Sequence, residues 1–274
     1  MTLPGMLVAL TLAVLMTSCS SPPPKAPAPS PGAGAAQAPG TVAARPAPPE
    51  LPAVPELAVT RVVEGTIRVD GDLSEWASVA GTGPLVHPGD GRAVPDSPVA
   101  GDVKVAWDAT GLHVAFSVSD ARAESPFSET DVDPHLWEKA SAVEIMLQPG
   151  DPGDNREYYE IQIDIHGAVW DTRFDDYNRP VTGEGAERQF GHQAWSAKLE
   201  RKAVVTPGTG YVLEATLPWA SLSSTRTAIP PAAGSVWRAN FYTFRDGQRQ
   251  ALAWSPLHRQ GNFHRASRFG KLKF

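Results

Sequence analysis

A single cysteine, Cys19, stands in a chain of 274 residues. That excludes an intrachain disulfide and, beyond the N-terminal segment, a thiolate nucleophile or a Cys-ligated zinc site. Any folded domain must be held by its apolar core. The apolar stretch at residues 4–18 is shorter than the roughly 20 residues a bilayer-spanning helix needs. There is no basic block, and the net charge is −6, so nucleic acid and anionic membrane surfaces are poor partners. The seven histidines form no HExxH pattern, which argues against a catalytic zinc. GxSxG and a Gly-rich phosphate loop are also missing, and Ser125, Ser141 and Ser255 have no Ser-His-Asp context. No long window repeats with helical period, and no internal repeat is present.

What is there begins with an address. Residues 1–18 read as a signal peptide whose apolar h-region ends in small residues. Leu15-Met16-Thr17-Ser18-Cys19 resembles a bacterial lipobox, which implies lipidation at Cys19. Ser20 follows the cysteine in place of the Asp associated with inner-membrane retention, so the expected location is the outer membrane of a Gram-negative cell envelope. From Ser20 to Pro55 the composition shifts: twelve of the 27 prolines lie here, and only Lys25, Arg45 and Glu50 carry charge. Such a segment cannot bury enough apolar surface to offset its backbone entropy. Residues 19–55 are therefore expected to be a disordered, lipid-anchored Pro/Ala-rich linker, and residues 56–274 one folded domain.

Period-two alternation dominates that domain. Val103, Val105 and Trp107 share one face, Asp108-Ala109-Thr110-Gly111 forms a turn, and Leu112, Val114, Phe116 and Val118 return. Val143, Ile145 and Leu147 alternate with Glu144, Met146 and Gln148; Tyr159, Ile161 and Ile163 alternate with Glu160, Gln162 and Asp164. Further strands are predicted at Ala168–Phe174, Trp195–Leu199, Val212–Leu217, Trp237–Phe244 and Phe269–Phe274, with helical turns at Leu73–Val79 and Trp219–Leu222. Many short strands between Gly/Pro turns predict an all-β fold: an antiparallel β-sandwich of jelly-roll or immunoglobulin-like type.

The polar faces of two of these strands carry the candidate chemistry. Glu144 on one, with Glu160, Gln162 and Asp164 on the other, form either a solvated outer face or a sugar-binding floor. Carboxylates and amides suit sugars because hydroxyls both donate and accept. A pyranose ring also wants a flat apolar partner. Trp137 lies in Pro134-His135-Leu136-Trp137-Glu138, outside any strand alternation, and is expected in a loop where a ligand can reach it. Phe263 and His264, in a second loop, are candidates for an opposing wall. Trp107, Trp195 and Trp237 are expected in the core, Trp76 and Trp219 as caps on the sandwich. Asp131 with Asp133, and Asp151 with Asp154, are polar loops where a structural Ca2+ could sit. Glu144 with Glu160 or Asp164 could reach the roughly 5 to 9.5 Å spacing of a glycosidase pair, but a lone sandwich offers no cleft for one.

One resemblance orders these pieces. Ile67-Arg68-Val69-Asp70-Gly71-Asp72-Leu73-Ser74-Glu75-Trp76, then Trp137-Glu138-Lys139-Ala140-Ser141-Ala142-Val143-Glu144, and finally Phe263-His264-Arg265-Ala266-Ser267-Arg268-Phe269-Gly270 resemble successive motifs of the family 9 carbohydrate-binding modules. The resemblance covers residues 62–274. It implies a non-catalytic carbohydrate-binding domain in which Trp137 stacks on a sugar, with Phe263 where well-studied members carry a second Trp. Glu144, Gln162 and Asp164 would bond the hydroxyls. It implies association with glycoside hydrolases in polysaccharide degradation. Two alternatives stay open. Related sandwiches also serve as haem-binding electron-transfer domains, for which Met146 could be an axial ligand. The other is a structural scaffold in an envelope complex.

Overall fold

Alternation becomes strand in nearly every window that shows it. The computed structural model describes residues 50–179, 191–246, 248–259 and 261–274. The expected signal peptide, Cys19 and the linker through residue 49 lie outside the described residues. Among the described residues no helix is long and apolar enough to cross a membrane.

The strands in chain order are β1 (Glu56–Ala58), β2 (Thr60–Arg61), β3 (Val99–Trp107), β4 (Gly111–Asp120), β5 (Ala142–Gln148), β6 (Arg156–Asp164), β7 (Val169–Asp176), β8 (Glu200–Thr206), β9 (Gly210–Pro218), β10 (Val236–Phe244), β11 (Leu252–Ala253) and β12 (Gly270–Lys273). One sheet runs β1-β12-β10-β5-β6-β7 with β11 on β10; the other runs β2-β3-β4-β9-β8. Pairing is antiparallel except β1 with β12 and β2 with β3, which are parallel. The sandwich is thus mixed at its edges, where the first two strands add to sheets built from later chain.

The core lies between the sheets. Val103, Val105, Val114 and Phe116 from one side meet Val143, Ile145, Ile161 and Phe241 from the other. Trp107 and Trp237 belong to this core. Trp219 does too, packing edge-on against Trp237 at 5.7 Å rather than capping an end. Trp195 is only half-buried and donates its indole N–H to the Ser221 carbonyl; no strand forms at Trp195–Leu199. The strand lies just beyond, as β8, an edge strand whose residues are mostly exposed.

The Asp70–Trp76 motif has a structural explanation. Glu214, on the outer face of β9, accepts hydrogen bonds from Trp76 Nε1 (2.7 Å), the Gly71 amide (2.5 Å) and the Asp70 amide (3.2 Å). Trp76 is fully buried against Ala106 and Ala115, so this motif closes the outside of the second sheet. Gly71 has φ +89°, and a Cβ there would strike Val204, so glycine is required.

The outer face of the first sheet departs most from expectation. All seven residues of β5 are buried, those on both faces included. The chain from Leu257 to Phe269 folds over this face, and the four-residue helix α1 (Leu136–Lys139) closes its far side. Local alternation reports one buried face; long-range chain supplies the second cover.

Candidate functional site

Strand register places the candidate residues in rows. Tyr242, Glu144, Gln162 and Trp170 are successive cross-strand partners on β10, β5, β6 and β7. Asn240, Met146, Glu160 and Thr172 form the next row. Direct partners share a face, so Glu144, Gln162 and Glu160 meet on the outer face, as their alternation predicted.

They form one network. Gln162 Nε2 donates to Glu144 Oε2 (3.2 Å) and to Glu160 Oε1 (2.9 Å). Gln248 Nε2 donates to Glu144 Oε2 as well, at 3.2 Å. Glu144 is 0 % exposed and Gln162 1 %. Burial, then the charge of Glu160, pushes the Glu144 carboxyl well above the usual range. Burial pushes Glu160 up to about 8, against the opposing hydrogen bond from Gln162. Three oxygens, Glu144 Oε1, Gln162 Oε1 and Glu160 Oε2, are buried with no hydrogen-bond partner among the described residues.

Trp137 lies on α1 rather than in a loop. Its half-buried ring packs edge-on against Trp170 (4.8 Å, 78°) and stacks on His135 (4.3 Å, 24°). Since Trp170 is the cross-strand partner of Gln162, the indole flanks the Glu144–Gln162 row outside the sandwich core.

The other candidates are placed differently. Asp164 is 0 % exposed, and its oxygens accept from the His166 and Ala168 amides and from Ser125 Oγ. They hold the β6–β7 turn and leave no acceptor directed at the Glu144 network. Phe263 is buried, one face flat on Tyr242 at 4.1 Å, and so does not stand as an open wall. His264 stacks on Tyr177 (4.0 Å, 10°), bonds Tyr158 Oη through Nδ1 (2.6 Å) and brings Nε2 within 3.7 Å of Glu160 Oε2. Burial and the charge of Arg259 hold this imidazole down at about 3.

Two residues of this site escaped the sequence reading, Tyr177 and Gln248. Tyr177 follows β7 outside its alternation, the same signal that singled out Trp137. Gln248 lies in a polar loop and carries no such signal.

Met146 is wholly buried among Tyr158, Phe174, Tyr242 and Phe269, a packing position. Of the polar loops, Asp151 is bridged by Arg238 and Lys271, and Asp154 by Arg226. Among the described residues no group of three or more His, Cys, Asp or Glu is placed to hold a metal ion.

Known proteins give the same fold. A candidate carbohydrate-binding protein from Bacteroides uniformis superposes with TM-score 0.58 at 18% identity, covering 81% of this chain and 100% of its own. A family 9 carbohydrate-binding module from Caldicellulosiruptor kristjanssonii in complex with cellotriose superposes with TM-score 0.50 at 16% identity, covering 78% of this chain and 92% of that one. The same module in complex with glucose gives TM-score 0.50 at 16% identity, with 80% and 94% covered. No curated protein matches the sequence. The model of the carbohydrate family 9 binding domain-like family matches residues 69–274, three quarters of the chain, and the chain belongs to that family.

Proposed function

We propose that this protein binds carbohydrate without catalysis, at the outer face of the first sheet. The observation that carries the reading is the set of three buried, unpartnered oxygens on Glu144, Gln162 and Glu160. A buried polar atom without a partner costs about 1–3 kcal/mol. All three lie on one face; a protonated carboxyl there offers an O–H and the Gln162 oxygen an acceptor, so the complementary ligand both donates and accepts, as a sugar hydroxyl does. The half-buried indole of Trp137 beside them supplies the apolar partner for a pyranose ring, and Tyr177 supplies a second aromatic edge.

Gln248 is the only one of the bonded amides that is partly exposed, and a sugar hydroxyl would take its place on Glu144 Oε2. Phe263 and His264 back the site rather than clamp it. The family relationship and the sugar complexes of the Caldicellulosiruptor module support the same reading. In the cell we propose a lipid anchor at Cys19 and the Pro-rich segment as a tether from the outer membrane, beside enzymes that degrade polysaccharide.

The test is titration calorimetry with cellotriose and a glycan array on the full chain, before and after Trp137→Ala. Trp137 is half-buried, so its loss should cost about 2–3 kcal/mol of stability while the variant stays folded and binding is lost. A folded variant that binds as well as the parent would overturn the stacking role.

A further inference from the structure

A cleft of about 790 Å³ opens between the His87–Ser97 loop and the segments Gln248–Leu252 and Leu257–Phe263. Its charge is opposite to that of the molecule. Arg92, Arg249 and Arg259 line it, and among the described residues Asp90 is its only lining carboxylate, in a chain of net charge −6. The hydrogen bonds of Arg259 go to the Asn262 side-chain oxygen and to the carbonyls of Asn262 and His264. Arg265, in the same loop, bonds only the carbonyls of Leu257 and His258. Arg268 bonds those of Pro52 and Pro256. Carbonyls satisfy hydrogen bonds but leave the positive charge in place.

One lining atom points to a missing partner: the buried Nε2 of His258 has no hydrogen-bond partner among the described residues. Burial and the nearby charges of Arg268 and Arg265 hold His258 below its ordinary value. Arg92 and Arg249 pair with Asp90 and Asp246, but as exposed ion pairs at 3.3 Å. Such pairs contribute little, so either guanidinium can exchange its partner for a bound anion.

The cleft adjoins the sugar site. Gln248 lines it and donates to Glu144; Phe263 lines it and stacks on Tyr242, the cross-strand neighbour of Glu144. We infer that this cleft is an anionic subsite, recognising a carboxylate or sulfate ester carried by the bound glycan, with Arg92, Arg249 and Arg259 as its cationic wall. This rests on the sugar-binding reading above. Guanidinium forks pair bidentately with either anion.

The test compares oligogalacturonates with their fully methyl-esterified forms, and sulfated galactan fragments with their desulfated forms, by calorimetry on the full chain. Cellotriose is the neutral control. The expected result is at least tenfold tighter binding of one acidic form than of its neutral counterpart, shrinking as NaCl rises from 50 to 500 mM. The pair that shows the preference identifies the anion. R92Q/R249Q, both on the surface, should bring the acidic form to the affinity of the neutral one. Equal binding of acidic and neutral forms, or a preference that survives the double substitution and high salt, would overturn the subsite; binding of cellotriose in that case leaves the sugar reading intact. Absence of binding to every probe, cellotriose included, would overturn both.

Discussion

Raising the pH from 6.5 to 8 should cost this protein about 2 kcal/mol of stability through Glu160 and His264 alone, and Glu160→Gln should remove that share of the loss. The protons that count are those of Glu160 and His264, which face each other at 3.7 Å on the outer face of the first sheet. In the unfolded chain the carboxyl titrates near 4.5 and the imidazole near 6.5. In the folded chain burial moves them in opposite directions, to about 8 and about 3. Between those limits the folded pair holds one proton, whether it rests on Glu160 or crosses to His264. The unfolded pair holds two protons below 4.5, one between 4.5 and 6.5, and none above 6.5.

Stability rises with pH wherever the unfolded state holds more protons, and falls wherever it holds fewer. The pair therefore gains stability from pH 3 to 4.5, is flat to 6.5, and loses stability from 6.5 to 8. The last window spans about 1.5 pH steps at about 1.4 kcal/mol each. Glu144, also held high by burial, acts in the same direction there. Asp171, raised to about 6, completes its own loss before the window opens. Urea unfolding at pH 6.5, 7.25 and 8 measures the difference. Glu160→Gln keeps an acceptor for Gln162 but holds no titrating proton, so its stability advantage should widen by about 2 kcal/mol across the series. An advantage that stays constant from 6.5 to 8 would refute the buried, protonated carboxyl.

Two substitutions probe what the motifs hold. Glu214→Ala strips acceptors from the buried Trp76 indole and two loop amides, and should destabilise by about 2–4 kcal/mol in urea unfolding; a loss under about 1 kcal/mol would deny the anchor. Asp164→Ala frees the His166 and Ala168 amides and should cost about 2–3 kcal/mol, while calorimetry on the folded variant finds sugar affinity unchanged.

The strands that were legible in the sequence are those with one apolar face and a turn at each end, such as Val99–Trp107 and Gly111–Asp120. β8 was not, because Arg201, Lys202, Val204 and Val205 on an exposed edge strand carry no alternation. Nor were β1 and β2, whose pairing partners lie far along the chain. Trp195–Leu199 shows the opposite failure, an alternating stretch that forms no strand: its Trp195 indole bonds the Ser221 carbonyl and its Ala197 amide the Asp171 carboxylate.

The shared face of the candidate site was legible in the sequence and its environment was not. Register is local, so Glu144, Gln162 and Glu160 were assigned to one face correctly. Much of what covers that face, Phe263 on Tyr242 and His264 on Tyr177, arrives from more than a hundred residues beyond Glu144. That cover changes the chemistry. A carboxylate on an open floor stays ionised and bonds any hydroxyl that reaches it. The same group under Phe263 and His264 holds a proton at neutral pH and leaves an oxygen without a hydrogen-bond partner. On the proposed reading, selectivity follows from the cost of that unmade bond: a ligand is favoured when its hydroxyls reach the buried oxygens, and a ring that presents only C–H to them leaves that cost in place. On the proposed sugar-binding reading, the sugar this protein accepts is thus set less by the aromatic partner, which any pyranose can use, than by which hydroxyls reach Glu144, Gln162 and Glu160.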